Sequence, residues 1–335
     1  MAALGIQNPT LLDLQKRLDP DGTVSAITEL LSENNDVLED MTWTEGNLPT
    51  GHRSTVRTGI PSPSFRKFYG FTQPSKSTTA QITDDCGMLE DYASVDKALA
   101  ELNGNTMEFR LSEDMAFIEG FRNKTAYNIF LGDQSVTPEG FNGLGPRFND
   151  LSAENGDNII DGGGTGADNA SIWLVCWSPM TAFGIVPKGS KAGLQVTDKG
   201  QQTEQDTVGG SQGKREVYVT HYRWDQGMVL KDWRYVVRIA NIDKSALTYD
   251  AASGANLPKL MFEAQERLQS LGMGRCAWYM NRHVRTKLRQ QLAYGVQNST
   301  LMMGDVGGKR VMVFGDEQWP VRRVDQLAAD EAQIT

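Results

Sequence analysis

The stretch TMEFRLSEDMAFIEGFRNKTAYNIFL, residues 106–131, predicts one long α-helix. Asn105 can serve as its N-cap, and Glu108 lies three residues later, as a capping box requires. The apolar side chains at helical spacing are Met107, Leu111, Met115 and Ile118, joined by Phe117, Phe121 and Ile129. At 1.5 Å per residue the helix would span about 39 Å. This length is more than a small domain needs, and it indicates a spine along an elongated subunit.

Residues 36–94, which precede this helix, have the composition of extended strands and little helical periodicity. The strand candidates are residues 42–44, 54–58, 65–71 and 77–82, separated by turns rich in Gly, Pro and Asn. Much of this stretch is polar on both faces, so a pair of such strands buries little within its own subunit. We therefore expect a projecting hairpin that leans on another chain.

Residues 1–35 contain two short amphipathic segments separated by Asp-Pro-Asp-Gly at 19–22. Their apolar residues are Leu11, Leu12, Leu14 and Leu18 in the first segment, and Val24, Ile27, Leu30 and Leu31 in the second. Neither segment is long enough to form a stable helix alone. Two interpretations stay open: a helical hairpin within the subunit, or an arm that lies on a neighbour.

Beyond the long helix the sequence mixes strands and helices, which indicates the α+β class. Residues 137–170 are rich in Gly, Asn and Asp and predict a linker, and the polar, Gly-rich residues 189–214 predict a long mobile loop. The predicted strands are residues 171–177, 183–186, 216–224, 233–239, 276–280, 309–314 and 321–324. The predicted helices are residues 257–271 and 282–294.

Composition limits the class of protein. Hydrophobic residues make up 39% of the 335 residues and charged residues 22%, which is typical of a globular chain. The formal net charge of −9 argues against a protein that grips phosphates tightly. The three cysteines, Cys86, Cys176 and Cys276, are far apart and odd in number, so separate thiols are expected rather than a disulfide framework. Neither a secretory signal nor a membrane-spanning apolar run is visible.

Motifs that would carry chemistry are weak. Residues 162–166 are Gly-rich but lack the Lys-Ser/Thr of a phosphate loop. Residues 209–213 match the nucleophile-elbow pattern around Ser211, but the strand before it and the helix after it are missing. His52, His221 and His283 have no second ligand at metal-binding spacing. We therefore expect no catalytic, cofactor-binding or metal-binding residues and no enzyme activity, with a hydrolase based on His221 or Ser211 as an unfavoured alternative.

The predicted helix at 282–294 is basic, with Arg282, Arg285, Lys287 and Arg289. Such a helix could contact nucleic acid, and a DNA-binding structural protein is a further alternative. Because the chain as a whole is acidic, a subunit contact or a solvated surface is the favoured interpretation.

The order of these elements, an arm, a polar hairpin, a long helix and a mixed domain, resembles the HK-97-like fold of tailed-phage major capsid proteins. The sequence is also similar to that of capsid proteins from short-tailed phages of the epsilon-15 type, at residues 8–14, 141–144, 315–316 and 321–325. The resemblance covers essentially the whole chain. It implies a structural protein that self-assembles into hexamers and pentamers of an icosahedral head around double-stranded DNA, without sequence-specific DNA binding.

The resemblance also implies a domain order. Residues 1–35 correspond to the N-terminal arm, 36–94 to the E-loop, 95–240 to the peripheral domain with the spine helix and an inserted loop region, 241–325 mainly to the axial domain, and 326–335 to a C-terminal tail. Some relatives join subunits through a Lys–Asn isopeptide bond, but nothing singles out Lys67 or Lys76 for that chemistry.

The implied partners are further copies of the chain, a portal protein and a decoration protein. A separate scaffolding protein is expected because the arm begins almost at Met1. The implied location is the virion, after assembly in the host bacterial cytoplasm. An encapsulin-like compartment shell of the same fold is the closest alternative.

Overall fold

The computed structural model describes residues 35–102, 106–205, 213–251, 254–294, 301–306, 309–315, 317–327 and 330–335. Contacts between residues divide this part of the chain into two units. Apart from the gaps just given, the larger unit contains residues 35–87, 126–190 and 226–335, and the smaller unit contains residues 88–125 and 191–225. The predicted arm segments at 1–34 lie outside the described residues.

The helices are α1 (Val37–Asp40), α2 (Lys97–Ala100), α3 (Thr106–Leu131), α4 (Leu257–Glu266) and α5 (Arg282–Tyr294). The strands are β1 (Trp43–Glu45), β2 (Gly51–Gly59), β3 (Thr78–Asp96), β4 (Ile159–Asp161), β5 (Asn169–Trp177), β6 (Ala182–Val186), β7 (Gln195–Gln205), β8 (Lys214–Leu230), β9 (Val236–Asp243), β10 (Arg275–Met280), β11 (Leu301–Val306), β12 (Lys309–Phe314) and β13 (Trp319–Arg323). The mixed α+β class is confirmed, and so is the predicted helix at 106–131, which is α3. Its predicted cap, Asn105, lies outside the described residues.

Strand β5 is the centre of the larger unit, and all nine of its residues are buried. It pairs antiparallel with β10 and with β9. Successive side chains of a strand point to opposite faces, so β5 supplies two cores. Leu174 and Cys176 enter one core, while Trp173 and Val175 enter the other. A continuous apolar run such as IWLVCW is the sequence signature of a strand that is covered on both faces.

Helices cover the two faces of this sheet. The first core packs Met261 of α4 and Leu288 of α5 near Trp278 of β10. The second core packs Ile129 and Phe130, from the C-terminal end of α3, near Trp173. The result is a layered arrangement of helix, sheet and helix in the larger unit.

A buried ionic network fixes α1 to this sheet. The Asp40 carboxylate is fully buried and accepts hydrogen bonds from Arg322 Nε at 2.9 Å and Arg322 Nη2 at 2.8 Å. Arg275 Nη2 lies 2.7 Å from the same carboxylate, and the Tyr279 hydroxyl donates to it at 3.1 Å. Trp177 Nε1 in turn donates to the Tyr279 oxygen at 2.8 Å. Burial, together with the nearby Asp40 charge, raises the pKa of Tyr279 well above its ordinary value.

A second buried network holds the C-terminal segment. Arg238 Nη2 lies 2.6 Å from Glu331 Oε2, and both side chains are largely buried. Arg238 Nη1 also donates to the Phe148 carbonyl at 2.7 Å, and its guanidinium lies over the Trp173 ring at 4.9 Å. The Ser171 hydroxyl donates to the same glutamate. These contacts join β9, β5 and residue 331 in one polar cluster.

The smaller unit is built from a β7–β8 hairpin, the C-terminal half of β3 and the N-terminal part of α3. Two small apolar clusters hold it together, one around Phe109 and one around Phe121 and Tyr222. Polar contacts add to them: Arg110 Nη2 lies 2.8 Å from Asp198 Oδ1, and the Tyr222 hydroxyl donates to Asp114. Burial raises the pKa of Tyr222.

The expectation of a mobile loop at 189–214 is wrong, because residues 195–205 form β7 and pair with β8 from Gln195↔Arg223 to Gln205↔Lys214. The ladder is supported by polar cross-strand contacts, such as Thr203 Oγ1 to Glu216 Oε1 at 2.6 Å. Apolar and polar residues do not alternate along β7, because both of its faces are largely exposed. Its strand character therefore depends on the pairing with β8 and not on its own pattern.

The expectation of separate thiols is also corrected, because Cys176 and Cys276 form a disulfide. The two residues are directly opposite each other in the antiparallel β5–β10 ladder. Sequence spacing could not indicate this pair, since 100 residues separate the cysteines and the register of the sheet brings them together. Cys86 is half-buried and takes no part in this disulfide.

The remaining elements agree with expectation within a few residues. The predicted helix at 282–294 is confirmed as α5, while the helix expected at 257–271 ends at Glu266. The strands expected at 309–314 and 321–324 are confirmed as the antiparallel partners β12 and β13. The predicted linker contains buried Phe141, Leu144 and Phe148. Among the described residues, no helix is both long enough and apolar enough to cross a membrane.

Candidate functional site

The hairpin of β2 and β3 carries a long exposed segment. Its ladder runs from Gly51↔Asp85 to Gly59↔Thr78, and the residues of β3 from 78 to 83 are all exposed. Backbone pairing therefore forms this hairpin without burying its side chains. The expectation of a hairpin that is polar on both faces is confirmed.

The loop between these strands, residues 60–77, is called the aromatic loop here. Four aromatic side chains are at least 95% exposed: Phe65, Phe68, Tyr69 and Phe71. A turn orders its tip, since the Gly70 amide donates to the Lys67 carbonyl at 3.0 Å and Arg66 Nη1 donates to the Gly70 carbonyl at 3.1 Å. Tyr69 has φ +61°, a conformation that bulky residues rarely adopt and that often marks a functional segment.

The predicted strand at 65–71 is wrong, because these residues belong to the aromatic loop and have no ladder partner among the described residues. Pro61, Pro63 and Pro74 flank them. Proline has no amide hydrogen to donate, so these positions disfavour a continuous ladder. The aromatic composition that suggested a strand thus belongs to an exposed loop.

Charge sets this hairpin apart from the rest of the chain. Residues 46–83 contain five basic residues, Arg53, Arg57, Arg66, Lys67 and Lys76, and no Asp or Glu. The chain as a whole carries a net charge of −9, so the remainder is strongly acidic. This basic, aromatic segment is therefore opposite in charge to the rest of the chain.

The root of the hairpin is anchored in the larger unit. Arg147 Nη2 lies 2.8 Å from the buried Asp84 carboxylate, and Arg147 Nε also donates to the Gly143 carbonyl at 3.0 Å. Burial raises the pKa of Asp84, and the Arg147 charge opposes that rise. Burial lowers the pKa of His52, which faces Asp84 across the ladder. The hairpin thus leaves a fixed base while its tip stays exposed.

Helix α3 also presents apolar side chains to solvent. The apolar stripe found from helical spacing is exposed: Met107 is 86% exposed, and Leu111, Met115 and Ile118 are exposed as well. The buried face in the smaller unit carries Phe109 and Phe121 instead. Because α3 is apolar on two faces, spacing alone does not say which face is packed. Exposed apolar surface of this kind marks interaction sites.

A groove of about 400 Å³ lies beside this helix in the smaller unit. This groove is called the helix groove here, and it is lined by Leu89, Glu90, Asp91, Ala116, Phe117, Gly120, Phe121 and Lys124. Most of the lining is apolar, and the charged lining residues are Glu90, Asp91 and Lys124. A Cβ atom added at Gly120 would meet nothing within 4 Å, so the groove is open at that point.

The histidines are not gathered into a catalytic site. His221 Nε2 contacts the Glu90 carboxylate, and its ring stacks on Tyr92 with centroids 4.4 Å apart. The hydrogen bond from His221 lowers the pKa of Glu90. His52 lies in the larger unit at the hairpin root, and His283 is on the basic helix α5. Burial lowers the pKa of His283.

The other sequence candidates are Ser211 and the Gly-rich residues 162–166. Ser211 lies outside the described residues. Residues 162–166 follow β4, and the Gly162 and Gly164 amides donate to the backbone carbonyls of residues 240 and 241. They therefore serve as a packed connection rather than a phosphate loop. No group of three or more His, Cys, Asp or Glu suited to a metal ion occurs in the described ranges.

One face of the basic helix α5 packs against the rest of the larger unit. Val284, Leu288 and Leu292 are buried on one side of it. Arg282 Nη2 lies 3.2 Å from Asp325, so part of its positive charge is neutralised. This arrangement agrees with a packed surface helix.

Comparison with known proteins gives a consistent result. The family model of the major capsid protein GP7 matches residues 19–335. The solved structure of bacteriophage Epsilon15 is 34% identical in sequence, with a TM-score of 0.78 and coverage of 100% of both chains. No curated protein matches the chain.

Weaker structural likenesses carry no argument by themselves. The capsid of bacteriophage JBD30 has a TM-score of 0.48 at 11% identity, covering 90% of this chain and 95% of that chain. The capsid of a native GTA particle has a TM-score of 0.42 at 11% identity, covering 67% and 95%.

Proposed function

The chain belongs to the family of the major capsid protein GP7 and is a shell protein of a phage capsid, and from that premise we propose that its copies form hexamers and pentamers that close into an icosahedral head around double-stranded DNA. The fold is the HK-97-like fold of phage capsids. Many copies of one chain build such a shell.

The observation that carries this proposal is the exposed hairpin with its aromatic loop. Four fully exposed aromatic rings on a single chain leave apolar surface in water, and contact with another copy would remove it. Each contact between subunits can be weak, because every subunit makes several at once and closure is cooperative. An exposed hairpin therefore fits a subunit of a lattice better than a protein that acts alone.

The charge distribution supports enclosure of DNA without sequence-specific binding. The net charge of −9 disfavours tight binding of DNA phosphates by most of the protein surface. The basic helix α5 is partly neutralised by Asp325. A sequence-specific site would need side chains that reach base edges from an exposed element.

We further propose that the protein is not an enzyme and needs no cofactor. His221 is engaged by Glu90 and covered by Tyr92, which is a structural role for an imidazole. A Ser211→Ala variant should form shells as the native chain does. Ester turnover that is present in the native chain and absent in this variant would instead favour the hydrolase alternative.

The domain assignment and the other partners are proposals that rest on the family. They assign residues 1–35 to the N-terminal arm, 36–94 to the E-loop, 95–240 to the peripheral domain, 241–325 mainly to the axial domain and 326–335 to a tail. A separate scaffolding protein, a portal and a decoration protein are the proposed partners, and the host bacterial cytoplasm is the proposed place of assembly.

Negative-stain electron microscopy of the purified protein, expressed with and without its neighbouring reading frames, tests the function. Closed icosahedral particles, or hexameric and pentameric capsomers, are expected. A monomer or small dimer under all conditions would contradict the proposal. Analysis of the contents of purified particles separates a DNA-filled head from an encapsulin-like compartment, which would hold protein cargo.

A further inference from the structure

The disulfide between Cys176 and Cys276 lies inside an apolar core. Cys176 is fully buried and Cys276 is 4% exposed, and both belong to the core that also contains Leu174, Met261 and Trp278. A reduced cysteine behaves as a small apolar side chain and fits such a core. The core therefore accepts this pair either as two thiols or as one disulfide.

The pairing of β5 with β10 does not depend on the covalent bond. The two strands are paired over five successive residues, from Arg275↔Trp177 to Tyr279↔Trp173. Backbone hydrogen bonds hold this ladder, and β10 also pairs with β13 on its other side. The register of the folded sheet thus places the two sulfurs opposite each other, so the fold itself selects this pair of cysteines.

One end of this ladder gives an oxidant a route to the sulfurs. Cys276 is the second residue of β10, and residues 269–275 before it are all exposed. Cys176 is the last but one residue of β5, and residues 179–180 in the turn that follows are exposed. Strand ends open locally at a lower free energy than strand centres. A small oxidant can reach Cys276 when this end opens, whereas burial hinders a bulky one such as oxidised glutathione.

The compartment determines the state in which the pair starts. A bacterial cytoplasm keeps thiols reduced, and disulfides persist in oxidising surroundings. A subunit made in the cytoplasm therefore holds two reduced thiols in its core. Release from the host then exposes the finished particle to an oxidising medium.

We propose that Cys176 and Cys276 form a redox lock, which stays open as two thiols while the chain folds and assembles, and closes as a disulfide when the released particle meets a peroxide. This inference rests on the proposed assembly in the host cytoplasm. It goes further by assigning a chemical state of the core to each stage.

Hydrogen peroxide is small enough for the route, and its reaction with the pair balances. The Cys276 thiolate attacks one oxygen of the peroxide, the O–O bond breaks, and hydroxide leaves while a sulfenic acid forms on Cys276. The Cys176 thiolate then attacks that sulfur, the S–S bond forms, and a second hydroxide leaves. The two thiol protons neutralise the two hydroxides. Two thiols and one peroxide thus give one disulfide and two waters, and two electrons pass from the sulfurs to the peroxide.

The closed lock stabilises the folded chain without restricting its synthesis. The bond joins positions 100 residues apart, and closing a loop of this length removes much of the conformational freedom of the unfolded chain. For a chain of this size, the expected rise of the thermal midpoint is about 5–10 °C. Because the bond closes late, it adds this stability to a particle that is already built.

A count of maleimide labels tests the chemical states. Cells that make the chain are quenched in acid, the chain is denatured and treated with N-ethylmaleimide, and its intact mass gives the number of labels. The chain has three cysteines, so three labels are expected on newly made chains and on particles taken from the cytoplasm. After purified particles are incubated with hydrogen peroxide, one label should remain, at Cys86, and peptide mapping should find the Cys176–Cys276 bond.

Three results of this count would overturn the redox lock. A single label on newly made chains would show that the bond already exists in the cytoplasm. Three labels after peroxide would show that the pair does not close. A disulfide that contains Cys86 would show that the fold does not select the pair.

Thermal unfolding of the unassembled chain gives an independent readout. Peroxide should raise the midpoint of the native chain by about 5–10 °C. Cys86→Ser is the matched control that keeps the pair, and it should show the same rise. Cys276→Ser removes one sulfur and should show none. An unchanged midpoint in the native chain and in Cys86→Ser, or an equal rise in Cys276→Ser, would refute the lock, and the first comparison holds even if Cys276→Ser does not fold.

These outcomes separate the two proposals. If the native chain forms no particles or capsomers, the proposed function fails, while the label count on the unassembled chain before and after peroxide still decides whether the lock exists. If particles form but the label count or the thermal midpoints give the negative result, the shell function stands and the redox lock alone is refuted.

Discussion

Replacing Asp40 with alanine should destabilise the larger unit more than any change of an exposed charge. The native carboxylate is fully buried and accepts two hydrogen bonds from Arg322, whose side chain is largely buried. Without Asp40 the Arg322 guanidinium and the Tyr279 hydroxyl both lose their acceptor. Removing one partner of a buried ion pair costs about 3–5 kcal/mol, because an uncompensated buried charge remains. The expected loss for Asp40→Ala is therefore about 4 kcal/mol, close to a thousandfold change in the folding equilibrium.

Urea unfolding of the unassembled chain, followed by tryptophan fluorescence, measures this loss. Trp177 reports directly, because its indole donates to Tyr279 inside the network. The urea midpoint should fall while the slope of the transition stays the same, as expected for a pure stability change.

Arg275→Ala is the matched control for this experiment. Arg275 contacts the same carboxylate at 2.7 Å, but its side chain is 47% exposed, so its removal should cost about 0–1 kcal/mol. Paired replacement by apolar residues, Asp40→Leu with Arg322→Met, should recover much of the stability lost in Asp40→Ala. A loss below about 1 kcal/mol for Asp40→Ala, or losses of equal size for Asp40 and Arg275, would refute the buried-charge argument.

Three further predictions concern stability. Glu331→Ala should lower the free energy of unfolding by about 3–5 kcal/mol, since it leaves the buried Arg238 without its carboxylate; thermal unfolding measures this, and an unchanged midpoint would contradict it. Burial lowers the pKa of His52 in the folded state. As the pH falls below about 6.5, the unfolded state therefore binds a proton at His52 before the folded state does, and the free energy of unfolding decreases. The His52→Gln variant should lose less stability than the native chain between neutral pH and the lowered pKa, and identical pH profiles would argue against this. Gly120→Ala should stabilise the fold by about 0.5–1 kcal/mol in urea unfolding, since nothing lies within 4 Å of its Cβ position. Gly274→Ala should destabilise it, because φ is +94° and the new Cβ would lie 2.6 Å from the Trp177 carbonyl oxygen; the same sign for both glycines would refute the distinction.

Sequence periodicity and composition correctly predicted the helices and strands whose patterns are contained in a single segment of the chain. The helices at 106–131 and 282–294 were found from their own periodicity, and β5 from its continuous apolar run. The polar hairpin was also found from its own residues, because both faces carry polar side chains. These signals are strong because each element is long or bounded by turn residues.

The remaining features depend on contacts between distant segments. The packed face of α3 could not be chosen, because Met107 and Phe109 are both apolar and only the neighbouring strands decide which one is covered. Strand β7 lacks an apolar pattern and exists through its ladder with β8. The helix groove combines residues 89–91 with residues 116–124, so no single stretch of sequence indicates it.

The central position of β5 has a consequence for biosynthesis on the ribosome. Its residue Cys176 pairs with Cys276, which emerges 100 residues later. At a synthesis rate of about 5–20 residues per second, β5 waits about 5–20 seconds for this partner. Throughout that time, a strand that is apolar on both faces has an unpaired edge and no complete layer above or below it. Nascent chains at this stage are vulnerable to aggregation, so slower growth at low temperature, or abundant chaperones that shield the emerging strand, should raise the yield of soluble subunits.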